Sequence, residues 1–202
     1  MEIENSRFNR NLRIVLSFLF IATLAGFAYI EFAANPESPV WWMILINLLI
    51  LAIPFGLIYG SIYVLVVSFR EHSRAGKIDP KMGKIIHWAP RAAGILIIFF
   101  ISLFSLDVFD MPGTFLQKLG GLLMHNIPSI AMLVILLIAW KRPVAGFVAF
   151  LVAGVLFAGF FVRSVFSANL VIFVLPILLI AALFYGDWKW NKLPPPAPEP
   201  LV

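Results

Sequence analysis

The chain has 202 residues, 62% of them hydrophobic and 12% charged, whereas soluble domains average about 45–50% apolar and about 25% charged residues. That balance, with a mean hydropathy of +1.00, excludes a water-soluble globule, and the absence of cysteine excludes disulfides, thiolate zinc sites and iron–sulfur clusters. The net charge of +5 reads as positive charge flanking membrane helices, and no nucleic-acid partner is expected.

A helix crossing a hydrocarbon layer of about 30 Å needs roughly 20 mostly apolar residues. Six stretches meet that demand, at 14–32, 40–69, 89–108, 115–140, 143–162 and 168–186. The expected fold is all-α: a polytopic membrane protein with six transmembrane helices and both termini cytoplasmic. Residues 1–13 form a cytoplasmic N-terminus carrying Arg7, Arg10 and Arg13, and 14–69 form a hairpin of the first two helices. The first apolar run exceeds a signal-peptide core. The second is too long for an upright span, and Pro54 predicts a kink or an interfacial extension.

Residues 70–88 read as a basic cytoplasmic loop. Asp79 before Pro80 is a helix start, and Met82, Ile85, Ile86 and Trp88 alternate with Lys81, Lys84 and His87. This pattern predicts a short helix lying on the inner leaflet. Arg70, Arg74, Lys77, Lys81, Lys84 and Arg91 are its candidate contacts to anionic lipid or to a cytoplasmic partner. A four-helix transmembrane domain follows at 89–186. Its first span is free of charge only over 92–106, so Arg91 and Asp107 are expected to snorkel at its ends. Thr114 with Gln117 forms a capping box for the next helix, and Pro128 and Pro176 each remove a donor within a span. Residues 187–202 form a proline-rich cytoplasmic tail, read as extended from Leu193 to Val202.

Orientation comes from Lys and Arg. Only Lys118 and Arg163 fall on one side of the six spans; all the others fall on the side that also holds both termini. Such asymmetry places that side in the cytoplasm. Trp41 and Trp42 then mark the outer interface, with Trp88, Trp140, Trp188 and Trp190 at the inner one.

Small residues at every fourth position let helices approach closely in lipid. Ala52, Gly56 and Gly60 form one such stripe, and Ala145, Ala149 and Ala153 another. They are read as helix-packing faces, within the chain or between chains.

An ionisable group at bilayer depth is costly and therefore marks a candidate site. His125 lies near the middle of the fourth span, with Asn126 and Ser129 beside it; Ser102 lies at a similar level on the third span, and Asn47 on the second. The imidazole is either a proton-relay or ligand-binding group or a neutral hydrogen-bonding residue holding the bundle together. Counting from the turn at Pro112, Asp107 falls level with Lys118, which predicts an ion pair at the outer lip. His72, His87 and His125 lie at different levels, so a bis-histidine haem is not expected. Metalloprotease, P-loop and nucleophile-elbow patterns are absent from the sequence. Neither a cofactor, a metal nor an enzymatic activity is expected.

The stretches 104–109 (FSLDVF), 125–129 (HNIPS) and 139–141 (AWK) resemble a family of small four-helix prokaryotic integral membrane proteins of uncharacterised function. The likeness covers about residues 85–186 and leaves the first two spans outside. It implies a prokaryotic inner (plasma) membrane and a recurrent polar trio of Asp107, His125 and Trp140. The sequence therefore reads as an accessory or structural subunit of a membrane complex, bound to other membrane chains or to itself. The alternative is a small transporter or permease subunit, such as the membrane half of an ATP-driven exporter, with His125 lining a path. A cavity joining His125, Asn126 and Asn47 would favour the second reading, and a dry, tightly packed bundle the first.

Overall fold

The computed structural model describes residues 2–34, 41–110, 112–161 and 170–191. Arg163, the span ends at 40, 162 and 168, and the proline-rich tail from 192 onward lie outside them. All regular structure among the described residues is helical. In chain order it comprises α1 (Glu2–Ala34), α2 (Trp41–Ala75), α3 (Pro80–Leu103) continued by a 3-10 helix (Phe104–Asp110), α4 (Phe115–His125), α5 (Ile127–Lys141), α6 (Pro143–Phe161), a π turn (Leu170–Val174) and α7 (Leu175–Trp190).

Five helical segments are long and apolar enough to cross a membrane, and six if α4 and α5, bent by 45° at their junction, are counted as one. This is the helix inventory of a membrane protein. The bend falls where the sequence demands one. Pro128 sits in the first turn of α5 and has no N–H to carry the α4 ladder onward. Pro54 and Pro90, by contrast, lie inside unbroken helices.

The basic segment at 70–88 is not a loop with a separate surface helix. α2 runs on to Ala75 and α3 begins at Pro80, leaving four linking residues. Gly76 ends α2 at φ 66, in the left-handed region, and its N–H donates 2.8 Å to the His72 carbonyl. Asp79 caps α3 by accepting from the Lys81 N–H at 2.8 Å, while its own N–H donates to Glu71 Oε2 at 3.1 Å. The apolar residues of the pattern divide, with Ile85 and Trp88 exposed and Met82 and Ile86 turned into the bundle. Met82, Gly83 and Ile86 are buried, with Gly83 against Asn191 and Ile86 against Gly186 of α7.

α7 is the central helix, packing on α2, α3 and α6; α3 packs on α2, α5 and α7. The core is aromatic and β-branched: Phe100, Phe150, Ile97, Ile177, Ile180 and Phe184 are all fully buried. α6 and α7 pack tightly against each other. The contact is made by Gly146 and Gly154, where an added Cβ would stand 2.9 Å from the Phe184 ring and 2.5 Å from Leu178 Cδ2. Phe150 lies between these glycines on the same helix face and stacks on Phe184 at 5.6 Å. The contact thus uses this glycine pair, offset by one residue from Ala145, Ala149 and Ala153. Ala153 of that stripe is nonetheless buried in the core. On α2 an added Cβ at Gly56 or Gly60 would meet nothing within 4 Å, so these two glycines make no close helix contact among the described residues.

α1 packs chiefly on α2, through a Thr23 Oγ1–Tyr59 hydroxyl hydrogen bond of 2.9 Å and the Phe27–Phe55 and Phe32–Trp41 ring pairs. Glu4 accepts from Arg70 at 3.4 Å and Arg74 at 3.2 Å. The start of α1 therefore lies beside the end of α2.

Candidate functional site

The polar centre of the protein lies where α3, α5 and α7 meet at the end of the bundle that carries Lys81, Lys84, Lys141 and Lys189. An α5 that stops at Lys141 leaves its last carbonyls without intrahelical donors. One of them, on Trp140, accepts from Arg91 Nη2 of α3 at 2.9 Å. Arg91 Nη1 donates to Asp187 Oδ2 of α7 at 3.0 Å and also to the His87 carbonyl one turn back on α3. A single guanidinium thus ties three helices, using the planar fork that lysine lacks.

Asp187 is equally committed. Its Oδ1 accepts from Asn191 Nδ2 at 3.0 Å and faces His87 Nδ1 at 3.2 Å, which donates in the tautomer protonated there. The Arg91 and Asp187 side chains are 2% and 3% exposed, whereas His87 is 45% exposed and forms the outer edge of the cluster. Aromatic rings gather at this end of the bundle. Phe184 lies 5.8 Å from the guanidinium, Trp88 meets Trp140 edge-on at 6.0 Å, and Trp190 packs near Phe69 and His72. Bringing two charges out of water costs several kcal/mol per ion, in about the range their attraction and hydrogen bonds return. The cluster therefore specifies which helix ends meet more than it adds net stability.

The sequence places Arg91 among the lipid-facing residues of a basic loop, and the structure corrects this. It is buried in the bundle, and Arg70 is engaged with Glu4 and with the Phe8 ring at 3.6 Å. Arg74, Lys77, Lys81 and Lys84 remain exposed.

The other expected site residues do not converge. His125 is exposed, and its Nδ1 pairs with the Gly121 carbonyl of its own helix at 2.9 Å. Asn126 Nδ2 donates to Leu122 O at 3.0 Å, and Ser102 Oγ to Phe99 O at 2.8 Å. Ser129 is buried, with its hydroxyl unpartnered among the described residues. Asn47 is on the other hairpin, donating to Glu31 of α1. The expected Asp107–Lys118 ion pair is replaced by a 2.6 Å hydrogen bond from Lys118 Nζ to the Phe109 carbonyl, the nearest C-terminal carbonyl of the 3-10 helix. Among the described residues, no group of three or more His, Asp or Glu could hold a metal ion.

The family described as Domain of unknown function (DUF7670) matches residues 79–195, more than half of the chain. The chain belongs to this family. The DUF7670 match starts at the Asp79 cap of α3 and ends beyond Asn191, so every member of the Arg91–Asp187 cluster lies within it, and all of α1 and α2 precede it. Comparison with curated proteins and with solved structures finds no match.

Proposed function

We propose that this chain is a structural subunit of a membrane assembly, its DUF7670 module acting as a pre-formed bundle against which other membrane chains pack. The observation that supports this most is the Arg91 fork. This ion pair, buried in the bundle, ties α3, α5 and α7 to one another, and both carboxylate oxygens and both terminal guanidinium nitrogens have protein partners. A permeation path would need polar groups arranged in sequence. His125, Asn126 and Asn47 instead bond to separate local partners, which weighs against the transporter reading.

In this reading α4 and α5 together form one of six spans, both termini lie in the cytoplasm, and the membrane is the inner membrane of a prokaryote. Support comes from the clustering of Arg74, Lys81, Lys84, Lys141, Arg142 and Lys189 near one end of the bundle, as a cytoplasmic rim requires. Arg74, Lys77, Lys81 and Lys84 would contact anionic headgroups there.

Extraction of the full chain from its host membrane in mild detergent, followed by native mass spectrometry, tests the proposal. A complex of fixed stoichiometry is expected. A chain that leaves the membrane as a lone monomer, and that on reconstitution into vesicles moves a solute, would replace this reading with the transporter.

A further inference from the structure

The hairpin that precedes the family module carries a groove that its own side chains leave unfilled. It lies between α1 and α2 with a volume of about 290 Å³, close to the lower end of known small-molecule sites at about 300 Å³. Gly56 and Gly60 form its floor, where a Cβ would meet nothing within 4 Å. Leu16 and Phe20 of α1 and Tyr59 of α2 form its walls. The Tyr59 hydroxyl is already engaged with Thr23, so this deep part is apolar.

The groove's basic end is different. Arg13 lines it there with Ser17 and Tyr63, and among the described residues Arg13 has no ion-pair partner. No carboxylate lines the groove to neutralise it. From Arg13 to Phe20 is roughly 10 Å of helix, which runs from the depth where arginine snorkels towards the hydrocarbon interior.

An apolar slot with a glycine floor and one unneutralised cation at its interfacial end complements one class of molecule. We propose that the α1–α2 groove binds an anionic phospholipid, with an acyl chain lying over Gly56 and Gly60 and the phosphate on Arg13. Basic pockets between membrane helices hold anionic headgroups in this way. The site is separate from the exposed basic residues between α2 and α3, because its specificity needs the groove as well as the charge.

The test is native mass spectrometry of the full chain in detergent, titrated with phosphatidylglycerol or phosphatidylcholine bearing the same acyl chains. Wild type should retain one phosphatidylglycerol in preference to phosphatidylcholine. Arg13→Gln should lower phosphatidylglycerol retention about fivefold, the effect of one cation near an anionic surface, and leave phosphatidylcholine unchanged. Gly60→Leu should fill the slot and abolish the preferred lipid. Gly26→Leu, at an equally open glycine outside the groove, should retain it. Both test positions face open space, and thermal melting confirms folding of each variant. Unchanged retention in Arg13→Gln or in Gly60→Leu overturns the proposal. So does loss of a homodimer in Gly60→Leu, which would assign the groove to a helix of a second copy.

Discussion

Arg91 and Asp187, 96 residues apart in the chain, meet at 3.0 Å with almost no solvent at either side chain. Because the guanidinium also holds the Trp140 carbonyl, removing it affects three helices at once. Arg91→Met strips the buried Asp187 carboxylate of its guanidinium, leaving only Asn191 and the half-exposed His87 beside it, and should cost about 3–5 kcal/mol, seen as a large fall in the melting temperature in detergent. Asp187→Leu should cost a similar amount. The double variant Arg91→Met/Asp187→Leu should recover much of the loss, since neither charge is then stranded. Strictly additive losses would show that the two residues act independently.

Glycines with no spare space should respond differently from glycines facing open space. Gly154→Ala drives a Cβ to 2.5 Å from Leu178, and Gly146→Ala one to 2.8 Å from Ala139 and 2.9 Å from Phe184. Each should destabilise by about 1–3 kcal/mol. Gly56→Ala and Gly60→Ala meet nothing within 4 Å, and should be neutral or slightly stabilising because alanine is the better helix former. Thermal unfolding of the four variants in one detergent checks the contrast, and equal losses at all four positions would contradict the packing described.

His125 makes its hydrogen bond within its own helix and is exposed. Both His125→Gln and His125→Leu should therefore fold and stay within about 0.5 kcal/mol of wild type. A loss confined to the leucine variant would reveal a hydrogen bond from His125 to another chain.

The absence of native cysteine makes orientation simple to measure. In intact cells Asp110→Cys should react with an impermeant thiol reagent, and Ser73→Cys should react only after permeabilisation. The opposite pattern would place both termini outside.

Long apolar runs bounded by charges are visible in one dimension, and the helices follow them. The Thr114–Gln117 capping box and the break before Pro128 are local features too, fixed by residues within one turn. The polar cluster is not local. Asp187 lies one residue past the last apolar run and Arg91 just before the charge-free core of the third, so each reads as an ordinary helix-end charge. Only the three-dimensional meeting of α3 and α7 makes them a pair. The segment around Met82 and Ile86 had the same ambiguity, because an apolar stripe does not say whether it faces a leaflet or another helix. Glycine spacing was similarly indecisive: Gly146 and Gly154 pack tightly with Phe150 between them, while the regular alanine stripe is offset from that contact.

The sequence separation of the Arg91–Asp187 pair also has a consequence in time. At about 5–20 residues per second of synthesis, 96 residues take about 5–20 s. Over that interval α3 and then α5 are completed before α7, and the guanidinium must wait at the membrane surface for its carboxylate. The module closes only when its last helix arrives, so nascent chains halted before Asp187 should be the ones that quality-control proteases remove.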